Sequence, residues 1–370
     1  MTSSYRAKLR CLADRADIEV GVAVGPAWGP WAFEEDPSDA NLSIFVLSQV
    51  FNGRNHFHWY RGLTQVIDTF KPDLLHIDEE HYSVVTAQAV YIASRRGIPA
   101  IFQSWQNIYK RYPWPFSGIE RFVFNRVAAG IAGTESIAQV LRQKGFAKPI
   151  AIIPLGTDTE LFYHDPNPGY RTRWGLENRY AVGFVGRLVE SKGLEDLLHA
   201  AAPLFPQYPD LALVVAGQGP YRDAAQAWLA TQGWSDKVIW IPWLSSHEMP
   251  KLMNSLDVLV VPSRTTPRWK EQFGRVITEA MAVGLPVIGS SSGEIPQVIG
   301  DAGLVFPEGD AIKLSEQISR LYHDAALRQR LSSDGQTRVA AHFSQEVIAT
   351  RLYALYQELL DASSTLLPDA

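Results

Sequence analysis

Glu271-Gln272-Phe273-Gly274-Arg275-Val276-Ile277-Thr278-Glu279-Ala280-Met281-Ala282 is the stretch on which the reading of this chain turns. A loop delivers one carboxylate, crosses a glycine and enters a short helix carrying a second carboxylate eight positions later. Gly284-Leu285-Pro286 stops that helix, and Val287-Ile288-Gly289 reads as a buried strand. Two carboxylates around a helix start, inside an α/β pattern, suit a polyhydroxylated ligand that carries phosphates. Carboxylates accept hydrogen bonds from sugar hydroxyls, and the amides of a helix start hold phosphate oxygens.

Outward from this stretch, short apolar runs alternate with helical segments in both directions. Upstream, Ala181–Val185, Leu211–Ala216, Val238–Ile241 and Val258–Val261 read as strands, separated by helices over Leu194–Phe205, Tyr221–Gln232 and Met249–Leu256. Nearer the start, strands are expected at Ile18–Val24, Leu74–Ile77, Ala100–Phe102, Gly130–Gly133 and Ile150–Ile153. Helices are expected at Leu63–Phe70, Tyr82–Arg96, Ile119–Val127 and Glu135–Lys144. Strands alternating with helices predict parallel sheets with right-handed crossovers. Pro154–Tyr170, rich in proline, glycine and aspartate, reads as a linker.

The expected fold class is α/β, with two facing, doubly wound, Rossmann-like domains and a cleft between them. The expected boundaries are 1–160 for an acceptor-binding domain and 171–345 for a nucleotide-sugar-binding domain. A C-terminal helix over 346–361 would pack back toward the first domain, and 362–370 would form a flexible tail. Tyr5–Ala13 already reads as the first crossover helix, so the first strand and its glycine-rich loop look missing. Either the chain begins late or another element takes that place.

The length of 370 residues makes two domains the default. A formal charge of −5 gives no reason to expect nucleic acid as a partner. One cysteine, Cys11, excludes an intramolecular disulfide and a thiolate-built zinc cluster. No apolar run approaches the ~20 residues that span a bilayer, and the N-terminus lacks a signal-peptide core. The expected location is cytoplasmic, with peripheral contact at the inner face of a membrane as a further expectation.

Val185-Gly186-Arg187-Leu188-Val189-Glu190-Ser191-Lys192-Gly193 joins a strand to a helix, the junction at which open α/β sheets bind ligands. Gly186 lets backbone approach a ligand, Arg187 offers a planar fork and Lys192 a point charge. A solvated loop with a surface ion pair to Glu190 is the competing reading. Gly217-Gln218-Gly219-Pro220 has the same placement, but glycine pairs mark many ordinary turns. In the first half, His76, Asp78, Glu79, Glu80 and His81 follow one another closely. Adjacent residues rarely converge on one metal, and His76 sits in an apolar strand, so no metal is expected. Tyr109-Lys110-Arg111-Tyr112-Pro113-Trp114-Pro115-Phe116 interleaves cations with aromatics. That pattern suits sugar stacking, an anionic lipid surface or a self-braced loop alike.

Val185–Gly193, Gly217–Pro220 and Glu271–Pro286 together resemble the retaining nucleotide-sugar glycosyltransferases of family 4, which have the two-Rossmann GT-B architecture. The resemblance runs from about residue 5 to residue 345 and is most specific in the paired-glutamate motif. It implies that Arg187 and Lys192 hold the donor diphosphate and that Glu271 contacts the transferred sugar. The backbone of Phe273, Gly274, Arg275 and Val276 would face sugar and phosphate. Glu279 would accept bonds from the ribose, while Gly186, Gly217 and Trp243 border the nucleotide. On the acceptor side, Glu80 is the polar group expected, with Gln106, Asn107 and Tyr109 nearby. Gln103 stands where many relatives carry a histidine, so that contact does not transfer. The implied co-substrate is a nucleotide-diphosphate sugar with a saccharide or lipid-linked acceptor, without cofactor or metal. Two rivals remain open: a nucleotide-sugar 2-epimerase, against which the paired glutamates argue, and a degenerate subunit that binds without turnover. A dehydrogenase is disfavoured, because no strand here is followed by a full Gly-x-Gly-x-x-Gly turn.

Overall fold

The computed structural model describes residues 3–167 and 169–364. In chain order the first elements are α1 (Ser3–Ala13), β1 (Val20–Val24), β2 (Ala27–Trp28), β3 (Trp31–Ala32), β4 (Leu42–Val46), β5 (Gln49–Val50) and β6 (Trp59–Tyr60). There follow α2 (Leu63–Phe70), β7 (Leu75–Ile77), α3 (Val84–Ser94), β8 (Ala100–Ser104), α4 (Phe116–Arg126), β9 (Ala129–Ala132), α5 (Glu135–Gln143) and β10 (Ile150–Ile152). The next run is α6 (Gly169–Arg173), β11 (Tyr180–Val185), α7 (Leu194–Ala201), β12 (Leu211–Ala216), α8 (Tyr221–Gln232), β13 (Val238–Ile241), α9 (Met249–Met253) and β14 (Val258–Val261). The last is α10 (Arg275–Ala282), β15 (Val287–Ser290), α11 (Ile295–Ile299), β16 (Leu304–Phe306), α12 (Ala311–His323), α13 (Ala325–His342) and α14 (Gln345–Ser364).

Two compact units divide the chain. One comprises residues up to Gly156 together with those from Gln345 onward; the other is Thr157–Ser344. Both are α/β with parallel sheets. The second unit has one six-stranded sheet, ordered β13-β12-β11-β14-β15-β16, parallel throughout. In sequence rank this is 3-2-1-4-5-6, and the order reverses between β11 and β14. Ligands of such sheets bind outside the carboxyl ends of the strands at that switch. Strands buried on both faces need apolar side chains on both faces. Leu211–Ala216 and Val258–Val261 satisfy this, being buried at every position.

The first unit is built differently. Its four-stranded parallel sheet runs β10-β9-β8-β7, while β1 and β4 form a separate parallel pair. The same helices serve both pieces. Leu12 of α1 clusters with Ile101, Ile131 and, from α14, Ile348, Ala349 and Leu352, and Val20 of β1 packs against that cluster. On the other side, Ile67 of α2 clusters with Ile77 of β7, and Phe70 of the same helix meets Phe45 of β4. A buried Arg6 donates to Asp39 at 2.7 Å and lies 4.7 Å from the Phe33 ring, which anchors α1 to the chain after β3. Each apolar side chain that α14 buries contributes at most about 1.5–3 kcal/mol.

Several expected bounds shift. The helix from Tyr82 starts at Val84, because Ser83 still closes a turn onto the Glu80 carbonyl. The helix expected to Phe205 closes at Ala201, the one to Leu256 closes at Met253, and the helix from Ile119 starts at Phe116. The 18-residue α13 was not read from the sequence. In the fold Gly335 is buried where α13 crosses α10, and a Cβ there would come within 3.1 Å of Met281 Cγ. Asp324 caps this helix, accepting from the Leu327 amide at 2.8 Å. The hairpins β2–β3 and β5–β6, too short to show a periodicity, were also unread. Helical structure continues through Ser364 where a flexible tail was expected from 362; residues 365–370 lie outside the described residues.

Candidate functional site

The carboxyl ends of β11, β12, β14 and β15 carry loops that touch through glycines. A Cβ at Gly193 would overlap the Pro262 carbonyl, one at Gly217 the Gly186 carbonyl, one at Gly219 the Leu188 carbonyl and one at Gly293 the Glu271 carbonyl. All four have positive φ, so an L side chain there is strained as well as crowded. Backbone bonds then tie the loops: Gly186 N–H donates to Ala216 O at 3.0 Å, Leu188 N–H to Gln218 O at 2.8 Å and Gly217 N–H to Ile241 O at 3.1 Å. These glycine turns, weak as isolated sequence signals, hold the loops together.

At the switch between β11 and β14, three side chains meet. Lys192 Nζ donates to Glu271 Oε2 at 2.6 Å, and Ser263 Oγ donates to the same oxygen at 2.8 Å. Lys192 comes from the β11 loop, Ser263 from the end of β14 and Glu271 from the loop before α10. Glu271 is buried and the lysine side chain is 22% exposed. The ammonium also lies 4.7 Å from the Trp269 ring. A charge-assisted bond of this kind is worth about 1.5–3 kcal/mol. Between them the two loops carry a cation that can reach an anion and a carboxylate that can accept hydroxyls. Ser263 was not foreseen; its only sequence signal is its place just past a buried strand.

Gly274 starts α10 with φ +79° and no side-chain cap. Phe273 is buried, with its ring 5.6 Å from that of Phe343, and so fixes the backbone before the helix. Glu279 pairs with Arg275 at 2.9 Å; Val276 is half-buried between them. Burial pushes the Glu279 carboxyl above its usual range, and Arg275 only partly offsets this. Arg187 is exposed and, among the described residues, has no ion pair, so the competing pairing with Glu190 does not form. Trp243 is exposed just beyond β13.

In the first unit Glu80 is committed to its neighbours. Its carboxylate accepts from Ser104 Oγ at 2.8 Å and from the Trp105 amide at 2.7 Å, tying the loops after β7 and β8. Gln103, Gln106 and Asn107 are all buried, and Gln106 Nε2 donates to Ile108 O at 2.9 Å. Tyr109 is exposed and stands apart from that group, 5.5 Å from Lys144 Nζ. His76 bonds the Tyr356 hydroxyl at 2.6 Å, and burial lowers its pKa to about 4. A buried network escaped sequence reading because its members lie far apart in the chain. His81 Nε2 meets Glu120 Oε2 at 2.9 Å, and Lys144 Nζ donates to that oxygen at 2.8 Å. Burial pushes the Glu120 carboxyl up, but the bonds from His81 and Lys144 outweigh it and hold it below the usual range. Glu79 was passed over too. Burial, opposed by the Glu80 amide and reinforced by the carboxylates of Glu80 and Asp78, raises its pKa to about 7, with His58 3.6 Å away.

Known proteins place the chain. Residues 170–338 match the family described as glycosyl transferases group 1, and residues 8–161 match glycosyltransferase family 4. The chain is 30% identical over 315 residues to a D-inositol 3-phosphate glycosyltransferase of Stackebrandtia nassauensis, covering 78% of this chain and 69% of that one. It is 29% identical over 191 residues to an alpha-D-kanosaminyltransferase of Streptomyces kanamyceticus, covering 51% of this chain but only 48%, about half, of that protein. In fold it is similar to Anabaena HepE, solved in complex with UDP, with a TM-score of 0.73 at 18% identity over 96% of this chain and 98% of that one. No helix among the described residues is long and apolar enough to cross a membrane. The chain belongs to the family 4, group 1 glycosyltransferases, with their two Rossmann-like domains.

Proposed function

We propose that this chain transfers a hexosyl group from a nucleotide-diphosphate sugar to an acceptor hydroxyl, with retention at the anomeric carbon. The Lys192–Glu271–Ser263 cluster at the β11/β14 switch carries this reading. Arg187 and Lys192 hold the diphosphate, and Lys192 turns from Glu271 toward the leaving phosphate as negative charge grows there. Positioned cations and helix-start amides stabilise such charge most where water is excluded. Glu271 then accepts hydroxyls of the sugar, and Glu279 accepts the ribose hydroxyls. Membership of this family favours attack from the same face within the donor complex over a covalent enzyme intermediate. The first unit takes a saccharide or lipid-linked acceptor. The reaction needs no metal, so EDTA leaves turnover unchanged.

A thermal-shift screen against UDP-, GDP- and ADP-sugars tests the donor site. A preferred donor at about 100 times its Kd adds about 2.7 kcal/mol of stability. Glu271→Gln is expected to cut turnover about 100-fold while donor affinity stays within a few-fold; equal activity removes the sugar contact. Arg187→Ala is expected to weaken nucleoside diphosphate binding about tenfold. The split sheet of the first unit favours one second reading, a subunit that binds donor without turnover. Nucleotide binding with neither transfer nor donor hydrolysis would decide for it.

A further inference from the structure

Between β14 and α10, the stretch from Arg264 to Trp269 is fastened to several neighbouring elements. Arg264 N–H donates to Ser191 O at 2.8 Å, next to Lys192. The Arg264 guanidinium donates to both oxygens of the buried Asp196 carboxylate and reaches Glu195 at 2.8 Å, both on α7. Thr265 N–H donates to Glu308 Oε2 at 2.8 Å, after β16, and its hydroxyl lies 2.9 Å from that of Ser292, after β15. Thr266-Pro267-Arg268-Trp269 then closes a tight turn. Thr266 N–H donates to Trp269 O at 2.7 Å, and Trp269 N–H donates to Thr266 Oγ1 at 3.0 Å. Pro267 presets the backbone at the first corner of that turn.

What this scaffold delivers is one ring. Trp269 is half-buried, and among the described residues its ring meets no other ring. It lies against the Lys192 ammonium, 4.7 Å from ring centre to nitrogen. The ammonium thus has two neighbours of different kinds. Glu271 Oε2 holds it at 2.6 Å along a directed hydrogen bond. An indole face attracts a cation electrostatically, with no donor–acceptor geometry to satisfy. A lysine held by Glu271 alone must give up its partner to reach a phosphate. A lysine that also rests on a ring can exchange carboxylate for phosphate and keep the ring throughout.

We propose that Trp269 is a positioning residue that holds the Lys192 ammonium at the β11/β14 switch while it passes from Glu271 to the diphosphate of a bound nucleotide. This rests on the donor-site reading above and adds to it a residue that acts through Lys192. Attraction between a cation and a ring is stronger where water is excluded than at an open surface. A diphosphate that covers the ammonium therefore strengthens its contact with the ring, and by reciprocity the ring strengthens diphosphate binding. A ring that only shielded the ion pair could be replaced by any apolar side chain of similar size. A ring stacked on the nucleotide itself would act with or without the lysine.

Calorimetric titration of the full chain with UDP, GDP and ADP identifies the tightest of the three, which then serves as the probe. W269L is expected to weaken its binding about fivefold, and W269F, which keeps a ring, only about twofold. K192A is expected to weaken it about tenfold. In the K192A background, W269L is expected to add less than about twofold, because the cation that the ring holds is gone. A loss of stability common to both backgrounds cancels in this comparison. Unchanged affinity in W269L, or equal weakening by W269L in both backgrounds, overturns the proposal and leaves the donor site standing. Unchanged affinity in K192A, or binding of none of the three nucleotides, removes the donor-site reading and this inference with it.

Discussion

The carboxyl edges of the two sheets are held by different means. In the second unit, loops meet backbone to backbone through Gly193, Gly217, Gly219 and Gly293, leaving Lys192 and Glu271 at the switch point of a continuous sheet. In the first unit, loops meet through long-range side chains, with Glu80 gripping the β8 loop and Lys144 and His81 converging on Glu120. Glycine contacts leave the loops little room to move apart. Side-chain braces tolerate variation in the loops they carry.

The comparison can be broken from either side. Gly193→Ala is expected to have the largest effect, at least about 3 kcal/mol off the second unit, because a Cβ meets a carbonyl and the backbone is left-handed. Chemical denaturation monitored on that unit checks it; a loss below about 1 kcal/mol means the loops can part freely. Lys144→Met is expected to cost the first unit about 2 kcal/mol, since it removes the ammonium that pairs with Glu120 in a half-buried site. Lys144→Arg should recover part of that loss.

The smallest effect is at Glu79. Its folded pKa, about 7, lies above the ordinary 4.5, so the folded chain holds this proton more tightly than the unfolded chain. That contribution is full below about pH 4.5 and is lost as pH rises through about 7. The side chain is 34% exposed, which screens the effect to about 1 kcal/mol. Glu79→Gln is therefore expected to flatten the fall in stability between pH 5 and pH 8, as melts across that range would record. An unchanged slope would assign the fall to other groups.

The same contrast decides what could be read in the sequence. Buried parallel strands such as Leu211–Ala216 are apolar at every position, and the Gly186–Lys192 and Glu271–Glu279 stretches lie at strand-to-helix junctions, so the second unit was legible in both fold and candidate site. Lys192 and Glu271 are 79 residues apart, yet each sits in a local pattern of its own. His81, Glu120 and Lys144 have no such pattern; each is an ordinary polar residue on a helix or loop, and only tertiary packing joins them. Gly335 sits at a close crossing of α13 with α10, and a glycine chosen for such a contact carries no pattern that marks it in sequence. The split sheet of the first unit was not legible either, because pairing between strands is not written in either strand alone.

The return of α14 to the first unit has a consequence for synthesis. Residues 157–344 form one unbroken stretch, so the second unit holds all its own elements once Ser344 has left the ribosome. The first unit, although made earlier, still lacks the Ile348, Ala349 and Leu352 that fill its cluster around Ile101 and Ile131. The order of completion is thus the reverse of the order of translation. The older unit waits with apolar surface uncovered until the last helix arrives. Nascent chains stalled with residue 344 just emerged are expected to show a protease-sensitive first unit beside a resistant second one, and chains stalled beyond residue 364 to show two resistant units.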